Sequence, residues 1–179
     1  MQSQGWIALL RAVNLSGRNR VPMAELRREL QELGFASVST YIASGNVLFV
    51  AEPAQRGQLA ETIEDLIAKR FGVETVVVLR RPDELRRLLA GHPFGETSSS
   101  YVTFLAAKPP PAAVRALGAL AFGADEAQVA GSDVYLRYPN GVTGATLTSA
   151  ALERALGIPG TARNWRTVTK LAGLAEQLG

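Results

Sequence analysis

The chain has 179 residues, 47% of them hydrophobic and 20% charged, with no cysteine and a single histidine. Those counts exclude a thiol nucleophile, a cysteine zinc or iron–sulfur site, a disulfide framework and any metal centre that needs two imidazoles, and neither a metal nor a cofactor is expected. Nineteen basic residues against 16 acidic ones leave a formal net charge of +3, too little to mark a nucleic-acid-binding surface by itself.

A chain of this length buries roughly 70% of its unfolded surface and holds a core without covalent staples. No apolar run reaches the roughly 20 residues of a spanning helix. Met1 to Arg20 also lacks the order of a signal peptide, so a cytoplasmic protein without a membrane partner is expected.

In chain order, Gly5 to Leu10 reads as a buried strand and Arg11 to Arg20 as a polar loop. Pro22 opens a helix at its first position, where its missing N–H costs nothing. Met23, Leu26, Leu30 and Leu33 recur at helical spacing, and Gly34 stops the helix. Val38 to Ile42 and Asn46 to Val50 read as strands joined by Ala43, Ser44 and Gly45. A second helix is predicted from Gln55 to Phe71, with Leu59, Ile63, Leu66 and Ile67 inward, and the β-branched run Glu74 to Arg80 as a strand. Strand, helix, strand, strand, helix, strand is the element order of a ferredoxin-like unit.

A linking helix started by Pro82 and closed by Gly91 follows, and the pattern then begins again. Ser100 to Ala106 is a strand, a short helix runs to about Leu120 after three prolines, and Ala127 to Ala130 with Val134 to Tyr138 form a hairpin. Thr148 to Leu156 is a helix, and the last helix spans Ala162 to Leu178, in place of a final strand. The expected fold is α+β, two similar ferredoxin-like subdomains with antiparallel or mixed sheets and packed helices. Residues 1–80 form the first, 81–99 the link, and 100–179 the second with its terminal helix.

Three segments carry more polar specificity than turns and caps require. The loop Arg11 to Arg20 holds Arg11, Arg18 and Arg20 with Asn14, and no acidic residue precedes Glu25, so guanidinium and backbone donors there suit a phosphate or carboxylate. Ser44, Gly45 and Asn46 follow Tyr41 as ordinary turn chemistry, and no GxSxG elbow makes Ser44 a nucleophile. The third segment runs from Tyr138 into the last helix. Its Gly- and Thr-rich loop, Gly141 to Thr148, opens a helix without the Gly-Lys-Ser/Thr triplet of a Walker A loop, and Thr148 serves equally as an N-cap. Arg163, Arg166 and Lys170 then fall at i, i+3 and i+7, on one face of the expected last helix. Cations in a first turn oppose the helix dipole, so these residues point to a carboxylate elsewhere or to an anionic ligand. Trp165 reads as core, and His92, just past a helix end, as a structural histidine.

The runs Ile7-Ala8-Leu9-Leu10-Arg11-Ala12-Val13-Asn14, Asn19-Arg20-Val21-Pro22-Met23-Ala24-Glu25-Leu26, Thr40-Tyr41-Ile42-Ala43-Ser44-Gly45-Asn46-Val47, Tyr138-Pro139-Asn140-Gly141, Thr161-Ala162-Arg163-Asn164-Trp165 and Thr167-Val168-Thr169-Lys170-Leu171 occur in this order. Together they resemble the bacterial domain-of-unknown-function family numbered 1697 over nearly the full chain. The resemblance implies a cytoplasmic α+β protein of two similar subdomains and brings no established activity. Similar chains carry glycine where this one has Ala12 and Ser16, asparagine at Arg166, and a Ser-Lys pair at Ala145 and Thr146. The missing lysine weakens the second loop as a phosphate site.

The leading expectation is a binding module that holds an anionic small molecule or nucleotide in a cleft between the subdomains. Its ligand-binding residues would be Arg11, Asn14, Arg18, Arg20, Ser44, Asn46, Arg163, Asn164 and Lys170, and no catalytic residue is assigned. One alternative is a hydrolase or transferase acting on a phosphorylated substrate, with Lys170 or a carboxylate as base. A second is a nucleic-acid-binding or scaffold protein, for which strand aromatics near Trp6, Tyr41 and Tyr101 would be the surface.

Overall fold

A computed structural model describes residues 3–54, 56–95 and 97–178. Its elements are β1 (Gln4–Leu10), α1 (Met23–Glu32), β2 (Ala36–Thr40), β3 (Asn46–Ala51), α2 (Arg56–Phe71), β4 (Val77–Arg80) and α3 (Pro82–Ala90). They continue as β5 (Ser100–Leu105), α4 (Pro111–Gly118), β6 (Glu126–Ala130), β7 (Asp133–Arg137), α5 (Ser149–Leu156), β8 (Gly160–Asn164) and α6 (Trp165–Ala175), closed by a 3-10 turn at Glu176–Leu178. Gln55, the expected first residue of the second helix, lies outside the described residues. Among the described residues no helix is long and apolar enough to cross a membrane.

The strands form two four-stranded antiparallel sheets, ordered β2-β3-β1-β4 and β6-β7-β5-β8. Element for element the two orders are the same, so the α+β fold consists of two subdomains of one topology. One compact unit takes the chain to Arg87 together with the residues from Lys170 on, and the other takes Leu88–Thr169.

In the first unit β1 is a continuous apolar run because both of its faces are buried. Trp6, Ala8 and Leu10 join Leu26 and Leu30 of α1, Leu59, Ile63 and Ile67 of α2, and Val47 and Phe49 of β3 in one core. Ile7 and Leu9, which alternate to the other face, are also fully buried. Trp6 is therefore a core residue at 3% exposure and not a surface for nucleic acid. Each such apolar side chain withdrawn from water contributes about 1.5–3 kcal/mol. The register sets Leu9 opposite Asn46 and Leu10 opposite Val77, while Thr40 pairs with Val47. The loop after β1 and the turn between β2 and β3 therefore leave the sheet at the same end.

In the second unit Leu105, Val134 and Leu136 pack with Leu117 of α4 and with Leu147, Leu152 and Leu156 at α5. Thr148 caps α5, its side chain accepting from the N–H of Ala151 at 3.1 Å. Pro22 sits at the N-cap of α1, one position before its expected place inside the helix.

The last expected helix is corrected at its start. Residues 160–164 are strand β8, paired to β5 with Val102 opposite Arg163, and the helix begins only at Trp165. Its helical stripe of Trp165, Val168, Ala172 and Ala175 extends no further back, and Thr161-Ala162-Arg163-Asn164 hides its strand character because the buried side chains, Thr161 and Arg163, are the polar ones. The second unit is thus strand, helix, strand, strand, helix, strand, followed by a helix.

Candidate functional site

Six of the expected site residues, Arg11, Asn14, Arg18, Arg20, Ser44 and Asn46, lie on the loop and turn at the end of the first sheet. The loop from Arg11 to Arg20 is tied down at its base, where the Arg11 N–H donates to Val76 O at 3.0 Å and Thr75 Oγ1 donates to Arg11 O at 2.7 Å. Inside the loop, Asn14 N–H donates to Asn19 O at 2.9 Å, Asn19 Nδ2 to Ala12 O at 2.9 Å, and Arg18 N–H to Leu15 O at 2.8 Å. Asn14 is the central brace. Its Nδ2 donates to Val21 O at 2.9 Å and Ala43 O at 2.7 Å, and its Oδ1 accepts from Val21 N–H at 2.8 Å.

The β2–β3 turn is built in the same way. Fully buried Asn46 donates through Nδ2 to Tyr41 O at 2.9 Å and Ser44 Oγ at 3.1 Å, and Gly45 O accepts from Leu10 N–H at 2.8 Å. Gly45 is required twice over. Its φ is +86°, and a Cβ there would lie 2.6 Å from Val13 Cγ2.

Backbone strain is concentrated in these two segments. Ala12, Asn14, Ser16 and Asn19 have φ of 54°, 54°, 46° and 50°, and Ile42 has φ 51°. Left-handed backbone costs most residues other than glycine and asparagine about 1–2 kcal/mol, so the strain falls on Ala12, Ser16 and Ile42, the last with a β-branched side chain that is rarer still there. Strain of this kind persists only where the surroundings impose it, and it gathers at functional sites.

Arg18 and Arg20 are both exposed on the loop, and Arg11 is half-buried at its base. Asn14, Ser44 and Asn46 shape the two segments. Their carboxamide and hydroxyl groups bond to the chain itself.

The remaining candidates lie elsewhere in the chain. Arg163 is on β8 at 8% exposure, donating through Nη1 to Thr161 Oγ1 at 2.6 Å and Ala162 O at 2.8 Å, and burial pushes its guanidinium down to about 10. Because it is on a strand, it shares no helical face with Arg166 and Lys170. Asn164 is the N-terminal cap of α6, its Oδ1 accepting from Thr167 N–H at 2.8 Å. Lys170 is exposed on α6. His92 contacts Ser100 Oγ through Nε2 at 3.0 Å, and its ring lies 4.2 Å from that of Trp165.

Sequence reasoning passed over Ile42 and Ala43. The available signal was a β-branched residue one position removed from a Ser-Gly turn, which reads as the end of a strand.

A family model described as protein of unknown function, DUF1697, matches residues 3–135, and the chain belongs to that family. Among solved structures it is similar to the conserved bacterial protein SP0830 from Streptococcus pneumoniae, at 20% identity and a TM-score of 0.77, over 98% of this chain and 99% of that one. No curated protein matches the chain.

Proposed function

We propose that this DUF1697 chain is a binding module for an anionic small molecule or nucleotide, and that the loop and turn at the end of its first sheet hold the ligand. The observation that carries this reading is a heavily braced, strained loop that keeps two guanidinium groups exposed where no acidic residue precedes Glu25. A loop that served only to connect β1 to α1 would relax that strain with glycine or length. Guanidinium groups suit phosphate and carboxylate because they offer paired, planar donors.

The start of α1 adds to this. Pro22 at its N-cap makes no side-chain cap, and Glu25 is the single acid of the first turn. Arg18 and Arg20 bind, Arg11 supports them from the loop base, and Asn14, Ser44 and Asn46 hold the geometry. Lys170 is a further candidate cation, while Arg163 and Asn164 serve their own strand and helix.

A thermal-shift screen with sulfate, sugar phosphates and nucleotides at millimolar concentration tests the reading. A ligand present at 100 times its Kd raises apparent stability by about 2.7 kcal/mol, so binding at such an excess is visible as a raised Tm. The expected shift disappears in the double variant Arg18→Ala, Arg20→Ala. No shift with any of these anions refutes the proposal.

A further inference from the structure

Resting on the anion-binding reading above, we infer that the ligand of this site is an organic anion with an apolar body, an aromatic or aliphatic phosphate or carboxylate, and that Ile42 selects it. An open depression of about 510 Å³ lies against the loop and turn, with Pro22, Met23, Ile42 and Ala43 among its walls and Arg20 on its lining. That is the size of a small-molecule site, and such sites are mostly apolar with a few placed polar groups.

The donor inventory of the depression narrows the class. Asn14 lines it, but both Nδ2 hydrogens are already given to Val21 O and Ala43 O. Thr40 brings one hydroxyl and Arg20 one charge. A sugar phosphate seated here would place its anion at Arg20 and, beyond what the single Thr40 hydroxyl can meet, its remaining hydroxyls against the side chains of Pro22, Met23 and Ile42, which offer no hydrogen bond. An aromatic or aliphatic body loses no hydrogen bond on the same wall and gains from leaving water.

Ile42 makes the wall deliberate. The side chain is 51% exposed although its backbone is left-handed at φ 51°. A polar turn residue would satisfy that backbone at lower cost, since asparagine and glycine visit this region readily. The turn therefore holds a large apolar side chain in the open at the expense of local stability.

Titration calorimetry of the full chain with phenyl phosphate, glycerol 3-phosphate and inorganic phosphate separates the possibilities, because the anion is common and only the body changes. Phenyl phosphate is expected to bind about tenfold or more tightly than the other two, as burial of one ring allows. In Ile42→Asn, and in Ile42→Gly, that preference shrinks toward unity while the weak binding of inorganic phosphate stays. Both substitutions suit the left-handed backbone, so the fold survives them, as an unchanged or raised Tm verifies. Equal affinity for phenyl phosphate and glycerol 3-phosphate overturns the inference and leaves anion binding standing. A preference that persists undiminished in both Ile42 variants also overturns it. Failure of all three phosphates to bind overturns the anion-binding reading together with this one.

Discussion

Asn14 Nδ2 donates to the carbonyl oxygen of Ala43 at 2.7 Å, across 29 positions of sequence. The same nitrogen reaches Val21 O, and Oδ1 takes the Val21 N–H, so one carboxamide joins the loop after β1, the approach to α1 and the β2–β3 turn. Asn14→Ala removes all three bonds and strands the Val21 N–H. A loss of about 4 kcal/mol is expected, given a net value near 1 kcal/mol for each of three bonds and the extra cost of an unmet donor. Urea denaturation measures it, and a change under about 0.5 kcal/mol would show that the brace is dispensable.

The left-handed residues of the same loop predict the opposite sign. Ala12 and Ser16 sit at φ 54° and 46°, where their Cβ atoms are disfavoured. Ala12→Gly and Ser16→Gly should each raise stability by about 1 kcal/mol, the relief of backbone strain exceeding the entropy that glycine adds to the unfolded chain. Gly45→Ala should lower it by about 3 kcal/mol, because strain and overlap act together. The overlap is concrete: the added Cβ would stand 2.6 Å from Val13 Cγ2 and 2.7 Å from Leu10 Cβ. Thermal midpoints of the three variants should fall on either side of the parent, and a stabilised Gly45→Ala contradicts this account.

The parts of the fold legible in the sequence are those with an apolar period. β1, α1, α2 and α5 each bury a stripe that appears in the order of their residues, and Thr148 and Gly157 mark the ends of α5 as a cap and a left-handed stop. β8 was hidden because its buried residues are Thr161 and Arg163, so alternation runs with the wrong polarity. At the candidate site, the arginines of the first loop were legible as charge without an acidic partner. The union of that loop with the β2–β3 turn was not, since it depends on antiparallel register and on a side-chain bond between positions 14 and 43. Nor does composition reveal that Ile42 and Ala12 are left-handed, because nothing in a β-branched or alanine side chain announces that backbone.

Asn164 separates a capping role from a binding role. Its Oδ1 accepts the Thr167 N–H at 2.8 Å at the start of α6, where an N-cap residue works. Asn164→Ala should cost about 1 kcal/mol in urea denaturation, and Asn164→Asp or Asn164→Ser should restore most of it. Calorimetric affinity for phosphate should be the same in all three variants. A loss of affinity without a loss of stability would return Asn164 to the binding residues.

Tyr138 supplies a pH dependence with a definite sign. Its hydroxyl donates to Leu147 O at 2.9 Å, and burial, then the negative charge of Asp125 and the neighbouring Tyr101, push its pKa from 10.0 up to about 12. Between those values the native chain keeps a proton that the unfolded chain has lost, so the native state binds more protons and stability falls as pH rises. The contribution is complete below pH 10 and is lost as pH climbs through about 12. Tyr138→Phe lacks the proton in both states. It should be less stable than the parent at pH 8 by about 1 kcal/mol, the value of the missing hydrogen bond. Between pH 8 and pH 11 it should then lose less stability than the parent in matched urea titrations. Phenolate absorbance followed up to about pH 12 should show the late-ionising phenol of the native parent missing from the variant. Parallel stability losses in the two proteins would mean that the phenol of Tyr138 ionises alike in the folded and unfolded chains, contrary to its burial against Leu147.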